Sequence, residues 1–444
     1  MKVNKHIPLE TRFCLPVETT HVRHKGKWIV CAPECCNYVV LDNDAQHDFY
    51  NLLQDYTLGE ALTKTTIPTD DAKAVLIQIE AKHFTESRPS KIKGDLQLHF
   101  YLTNACNLRC KHCYMFSGVK RENELTTTEI ESVLKSFAAC DGKIVIFSGG
   151  EIAVRSDLPA IIRYAHELGL SINVMTNGTL WTEQMVSDLA PFLASAQVSI
   201  DGYDEASNAK VRGAGNFKKS VDAVDSFLRH GVKVVVAVTP WYDENLFDHK
   251  EDFLSFKRAM LDKYQGLPLE FKYTSDIMDG RNLHLTKEQH KRYFDFMQEV
   301  SNADLGDLYA ENFIFNQQNR VVKDCWCTFG HLTVSSDGNI YLCGKVNMVK
   351  PLFNVRKTDM ETIMRTAAKG RELSKVKYLS PCRGCELRFI CGADCRIDHF
   401  DWFRHCADIA ERPFTPGQFT RKCDAAVKDR YYDIMIENNH WLYR

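Results

Sequence analysis

Tyr101-Leu-Thr-Asn-Ala-Cys106-Asn-Leu-Arg-Cys110-Lys-His-Cys113-Tyr114 follows a short apolar strand and spaces its cysteines as C-x3-C-x2-C. An iron–sulfur cluster normally takes four cysteines. Three thiolates this close together can hold three irons of a [4Fe–4S] cube and leave the fourth open to a small chelating molecule. Zinc is the competing occupant, but it favours four ligands and paired C-x2-C spacings. No fourth Cys or His stands at a matching position, and His112 lies between the ligands, where its geometry is poor.

Outward from this loop, apolar strands alternate with helical stretches. The pattern predicts strands at 96–103, 144–148, 171–176, 197–200, 232–239 and 269–273, with helices at 128–139, 157–168, 182–193, 216–230 and 251–264. Such alternation marks βαβ units, an α/β class and a parallel sheet. Six units rather than eight predict a partial (β/α)6 barrel. Chemistry in these sheets gathers at the C-terminal strand ends, where the three-cysteine loop falls. Gly149-Gly150-Glu151 ends the second strand. Its glycines let backbone approach a ligand, and Glu151 and the strand-end carbonyls can accept hydrogen bonds from an ammonium group. Asn177 ends the third strand, Ser199 the fourth, and Arg212 follows. The plainer readings are strand-end hydrogen bonding for Ser199 and a surface charge for Arg212. Asp279-Gly280-Arg281 follows the sixth strand.

The chain has 444 residues, 44% of them hydrophobic, and a net charge of −2. It therefore folds into cores, and its charge argues against bulk binding to nucleic acid or membrane. No apolar run is long enough to span a bilayer, and the N-terminus lacks a secretory h-region, so a cytoplasmic location is expected. Disulfides are a poor account of 17 cysteines in such a protein; metal ligation is better where they cluster. They cluster at 106–113 and again in Cys325, Cys327, Cys343, Cys382, Cys385, Cys391, Cys395 and Cys423. Eight thiolates fill two four-cysteine clusters, although structural zinc uses similar knuckles. Cys14, Cys31, Cys35, Cys36, Cys140 and Cys406 read as small buried hydrophobes.

Residues 1–86 read as a small independent unit. Strands near 28–32 and 38–41 flank a turn, and Asn43 or Asp44 caps a helix at 45–54. Thr57 with Glu60 forms a capping box for a second helix, and Thr69 caps a third at 70–84. Residues 87–95 read as a linker, 96–310 as the barrel and 311–444 as an irregular cysteine-rich domain with a late helix at 424–438. Metal binding can supply folding free energy to such a segment.

The C-x3-C-x2-C loop and the Gly149-Gly150-Glu151 strand end resemble the radical S-adenosylmethionine (SAM) superfamily. The order Cys325-x-Cys327, Gly338-x4-Cys343, Cys382-x2-Cys385-x5-Cys391-x3-Cys395 and Cys423 resembles that superfamily's SPASM extension. The N-terminal unit resembles the winged-helix domain with which many maturases of ribosomally made peptides bind a leader, as a strand added to a sheet edge. The resemblance implies three [4Fe–4S] clusters. Cys106, Cys110 and Cys113 would hold the first, open to SAM. Cys325, Cys327, Cys343 and Cys395 would hold one auxiliary cluster, and Cys382, Cys385, Cys391 and Cys423 the other. Gly149, Gly150, Glu151, Ser199, Arg212, Tyr114 and Asn177 would contact SAM. The implied activity makes a 5′-deoxyadenosyl radical, takes a side-chain hydrogen from a precursor peptide and closes a carbon–carbon or thioether crosslink. The implied partners are that peptide with its leader and a reducing protein such as flavodoxin or ferredoxin. No catalytic base is identified. Gly344 stands where sulfatase-type maturases carry an Asp after the Gly-x4-Cys cysteine, which counts against formylglycine formation, the nearest alternative. A non-enzymatic iron–sulfur or zinc protein is the alternative from another class.

Overall fold

The computed structural model describes residues 7–86, 96–275, 277–303, 324, 329–393, 395–405, 409, 414–420, 423 and 425–439. The expected linker at 87–95 lies outside them. The N-terminal unit begins with three antiparallel strands, β1 (Thr20–His24), β2 (Lys27–Ala32) and β3 (Asn37–Leu41). The first was not apparent from sequence, because Val22 is its only aliphatic residue; an edge strand needs no more. Three helices follow, α1 (Asp44–Asp55), α2 (Leu58–Thr63) and α3 (Thr69–Ala81). Asn43 caps α1, and the Thr57–Glu60 capping box forms as expected. Pro68 rather than Thr69 occupies the cap position of α3, so that helix starts one residue early.

Strand alternation gives the N-terminal sheet two buried faces. Val30, Val39 and Leu41 face α1–α3. Ile29, Cys31, Tyr38 and Val40 face away from the helices and pack on Leu387, Ile390, Tyr431, Tyr432 and Met435 from the far end of the chain. The unit is therefore not free-standing. Cys31 and Cys35 are buried small hydrophobes, as expected, whereas Cys14 is exposed.

Among the described residues the central sheet has nine strands, six of which form a parallel core. Its parallel core comprises β4 (Gln97–Tyr101), β5 (Ile144–Ser148), β6 (Ser171–Thr176), β7 (Ser195–Ser199), β8 (Lys233–Val238) and β9 (Leu269–Tyr273). Along each of the first five of these strands one set of residues is apolar and fully buried against the helical layer: Leu98 and Phe100, Val145 and Phe147, Ile172 and Val174, Ala196 and Val198, Val234 and Val236. The opposite set includes His99, Ser148, Asn173, Gln197 and Ser199. A parallel sheet covered on both faces is usually apolar on both; the polar inner set here lines an open concave side.

The sheet does not close. Instead β10 (Leu332–Val334) pairs in parallel with β4, and β11 (Asn339–Tyr341) and β12 (Phe353–Asn354) continue it antiparallel. The cysteine-rich region thus shares a sheet with the barrel, and it also carries an unexpected helix at Met360–Leu373 and the expected late one at Ala425–Glu437. The join is reinforced by Arg356, whose Nε donates to Glu129 Oε1 at 2.6 Å and whose Nη2 donates to Oε2 at 3.1 Å. Glu129 also completes the capping box of α4 (Thr127–Ala139). Arg356 first, then the Thr126 amide, pulls the Glu129 carboxyl down to about 2. A carboxyl lowered on folding stabilises above its unfolded value, about 4.3, and that contribution disappears as pH falls toward 2. Both side chains are about one-third exposed, so at most ~1 kcal/mol is expected. Glu129→Gln should flatten the acid limb in this window, read as the urea midpoint against pH.

Candidate active site: a three-thiol cavity at the strand ends

The loop after β4 is tied down along its length. Leu102 N donates to Ser148 O at 2.8 Å, continuing the β4–β5 pairing. Buried Glu124, which sequence reading passed over, accepts from Thr103 Oγ1 at 2.8 Å and Asn104 N at 2.6 Å. Cys106 N donates to Gly118 O at 3.2 Å, and Lys111 N to Val211 O at 3.1 Å. From the other side, Arg281 N donates to Cys113 O at 3.2 Å, its Nη1 to Cys110 O at 3.1 Å and its Nη2 to Ser117 O.

Gly149 and Gly150 form the loop's seat. Gly150 N donates to Thr103 O at 2.7 Å, and Glu151 N to Ala105 O at 2.9 Å. A Cβ at Gly150 would lie 2.1 Å from Ala105 O, which is backbone. Glycine is required there by the approach of strand end to loop, before any ligand is considered. Gly150→Ala is expected to cost about 1–3 kcal/mol and to displace the three thiols; iron content and urea unfolding would report it.

Cys106, Cys110 and Cys113 line one cavity of about 230 Å³ together with Tyr114, Gly149, Gly150, Asn177, Ser199 and Arg212. Nine of the ten residues expected around the first cluster and its ligand are thus brought together. Glu151 is the exception. It is fully buried and points inward, accepting from Thr176 Oγ1 and Asn177 N, both at 2.7 Å, and from Ala153 N at 3.1 Å. Burial raises its carboxyl despite these bonds. In this geometry Glu151 ties the ends of β5 and β6 together behind the cavity wall instead of offering its carboxylate to a ligand's ammonium.

Arg212 is not a surface charge. Its side chain is 9% exposed, and Nε lies 2.6 Å from Asp201 Oδ2, while Nη1 donates to Cys110 Sγ at 3.9 Å. His112 Nε2 reaches the same Asp201 oxygen at 2.9 Å. Burial would raise Asp201, but Arg212 and His112 outweigh it and hold the carboxyl low. Asp201 was missed in sequence because its partners are distant along the chain; the Ser-Ile-Asp-Gly strand end was its only local signal.

Burial pushes the Cys106 thiol up to about 11. Such a thiol ionises only when a cation binds it, and the donor set suits a metal cluster flanked by a polar ligand. Residues 100–256 match the model of the radical SAM superfamily, and residues 325–386 match that of the SPASM iron–sulfur cluster-binding domain. The chain carries a radical SAM domain and a SPASM domain. These two domains imply [4Fe–4S] clusters and SAM binding.

Among curated relatives, the AdoMet-dependent heme synthase of Nitratidesulfovibrio vulgaris is 26% identical over 66% of this chain and 85% of its own length. The mycofactocin maturase MftC of Mycolicibacterium smegmatis is 26% identical over 68% of this chain and 78% of its own. Streptococcus suis SuiB bound to precursor peptide SuiA superposes with a TM-score of 0.50 and 14% identity, covering 87% of this chain and 96% of SuiB; that likeness is one of fold.

In the SPASM region, Cys343 follows β11, and Lys345 N donates to its sulfur at 3.5 Å. Burial raises both Cys343 and Cys395, and both lie in the field of the Lys345–Asp398 pair, which meets at 2.7 Å. Cys385 and Cys423 instead act together on Lys428. Cys382 and Cys385 flank one tight turn, and Cys391 ends the next, where its N–H donates to Leu387 O at 2.8 Å. Cys325 and Cys327 lie outside the described residues.

Next to the thiol cavity is a second one of about 440 Å³, lined by Tyr114, Phe116, Ile277, Met278, Asp279, His284, His290, Lys345, Asn347, Met348 and Asp398. Tyr114 belongs to both walls. Its Oη is 3.0 Å from Tyr101 Oη, which donates to Gly344 O at 3.0 Å. Among the described residues no helix is long and apolar enough to cross a membrane.

Proposed function

We propose that this radical SAM enzyme matures a ribosomally made peptide by crosslinking two of its residues, with net loss of two hydrogens. The observation that carries the reading is the pair of adjoining cavities walled by Tyr114. One is ringed by three thiols. The other, between barrel and SPASM residues, is of a size to enclose peptide side chains. We assign Cys106, Cys110 and Cys113 to the cluster that holds SAM, Cys325, Cys327, Cys343 and Cys395 to one auxiliary cluster, and Cys382, Cys385, Cys391 and Cys423 to the other. When bound, the reduced cluster and SAM supply a radical that removes a hydrogen atom from carbon. The chain's own residues set where that happens. Arg212 and Asp201 fix the Cys110 side of the loop, Gly150 fixes its base, and Asn177 and Ser199 line the cavity in which SAM would sit.

The N-terminal sheet would receive the leader. On β3, Tyr38 N donates to Asn37 Oδ1 at 2.9 Å, and Gln78 bridges Val40, accepting from its N–H at 2.8 Å and donating to its C=O at 2.5 Å. That edge is occupied by side chains, and both faces are covered. Among the described residues β1 is the edge left for strand addition, and a reducing protein such as flavodoxin or ferredoxin would supply electrons.

The formylglycine reading is disfavoured at Gly344, where a Cβ would point toward His99 Nδ1 at 3.6 Å and no side chain exists to take a proton. The heme-synthase likeness supports a tetrapyrrole substrate as a second reading. The deciding experiment incubates the reconstituted protein with dithionite, SAM and any short peptide found encoded beside its gene. A peptide lighter by about 2 Da with 5′-deoxyadenosine formed supports crosslinking. Unchanged mass with an inverted centre points to epimerisation. Turnover of an iron porphyrin, with no peptide modified, would overturn the proposal.

A further inference from the structure

The segment Asp279-Gly280-Arg281 is bolted to the three-thiol loop. Besides the three Arg281 bonds, Asn282 N donates to Lys111 O at 2.8 Å, and a Cβ on Gly280 would lie 2.3 Å from His112 O. Asp279 therefore has a fixed position relative to the thiols, yet its side chain lines the neighbouring 440 Å³ cavity rather than theirs. There it meets two imidazoles. His290 Nε2 is 3.7 Å from Asp279 Oδ1, and His284 Nδ1 is 4.0 Å from Oδ2. Leu285 N donates to Oδ1 at 3.3 Å and orients the carboxylate.

His290 is the more enclosed of the two, at 36% exposure against 74% for His284. It sits in the first turn of the helix Lys287–Asn302, with its N–H bonded to Thr286 O at 2.9 Å. The other ionisable pair on this cavity, Lys345 and Asp398, is engaged with itself at 2.7 Å.

We propose that His290, oriented by Asp279, accepts the proton that the peptide loses as its crosslink closes. This rests on the crosslinking reading above. Two bonds to hydrogen break in the peptide and one new bond forms. One hydrogen leaves as an atom, taken by the SAM-derived radical. The other leaves as a proton to the His290 imidazole, and its electron passes to an iron–sulfur cluster. Asp279 stands beside one ring nitrogen, Nε2, which leaves Nδ1 to accept, the division of labour of a carboxylate–histidine pair. At 3.7 Å the contact is an ion-pair approach, and hydrogen bonds of catalytic pairs tighten from such separations when substrate binds.

The test uses the peptide that loses ~2 Da with the wild-type protein, prepared with deuterated side chains. His290→Ala and Asp279→Asn should still move deuterium into 5′-deoxyadenosine. Crosslinked product per 5′-deoxyadenosine should fall about 100-fold for His290→Ala and less for Asp279→Asn. Added imidazole should restore part of the loss in His290→Ala, which a purely structural defect would not allow. His290→Gln serves as a second variant should the alanine protein misfold. Peptide affinity by fluorescence anisotropy should stay within about twofold of wild type. An unchanged ratio of product to 5′-deoxyadenosine in the His290 variants would overturn the assignment. No deuterium transfer with the wild-type protein would instead overturn the crosslinking reading.

Discussion

With the three clusters proposed above, Cys106→Ala is expected to lower the iron content from about twelve to about eight per chain and to abolish reductive SAM cleavage. The large effect follows from how the loop is built. Cys106 lies at its base, where Gly118 and the Gly149–Gly150 seat fix the backbone. No other cysteine among the described residues that line this cavity is available beyond Cys110 and Cys113, and two thiolates do not retain a four-iron cube against reductant. The SPASM thiols belong to a different part of the fold, so the remaining iron should stay. Iron and sulfide analysis with chromatographic detection of 5′-deoxyadenosine would read both. SAM cleavage surviving in Cys106→Ala would show that the radical is made elsewhere.

Asp201→Asn is expected to destabilise the barrel by about 3–5 kcal/mol, the cost of breaking a buried ion pair from one side. The substitution keeps the volume and the acceptor for Thr239 N, bonded at 2.9 Å, but places an amide N–H₂ or a neutral oxygen against Arg212 and His112. The guanidinium then loses its buried carboxylate partner. Because Asp201 is held below its unfolded value, its contribution is complete above about pH 4 and declines as pH falls below that. The wild-type protein should lose this increment on acidification, and the variant, lacking it throughout, should show a correspondingly shallower acid limb. Urea midpoints across pH, followed by circular dichroism, would test the sign and the size. A midpoint within error of wild type at pH 7 would mean that the buried charge is compensated by some other group.

The parts of the fold that were legible in sequence are those written in local period or local chemistry. The Thr57–Glu60 box, the two-residue alternation of the barrel strands and the strand-end position of the cysteine loop all depend on neighbours a few residues apart. So does the gathering of nine expected residues on one cavity, since strand ends of a parallel sheet converge by topology. What was not legible required partners far apart. Glu151 looked like an acceptor for a ligand because its competitors, Thr176 and Asn177, arrive from the next strand. His112 and Arg212 acquire their meaning from Asp201. The pairing of Leu332–Val334 onto β4 replaces barrel closure, and no periodicity in so short a strand announces its partner. Val22 alone could not reveal β1. The seemingly autonomous N-terminal unit is apolar on both sheet faces, a pattern compatible with a small domain until a second covering surface is in view.

That covering surface has a consequence for biogenesis. Tyr38 Oη donates to Met435 O at 3.4 Å across 397 residues of chain, and among the described residues the apolar face around Tyr38 is covered by Cys385, Leu387, Ile390, Cys391 and the helix Ala425–Glu437. At about 5–20 residues per second, a ribosome needs roughly 20 to 80 s to make the intervening chain. Throughout that interval the emerging sheet carries one uncovered apolar face, a substrate for chaperones and a hazard for self-association. Loading of the cluster proposed for Cys385 and Cys391 would share that timetable, because the loop that bears them packs into the same seam. Translation therefore has to pass Glu437 before the N-terminal sheet is covered on both faces.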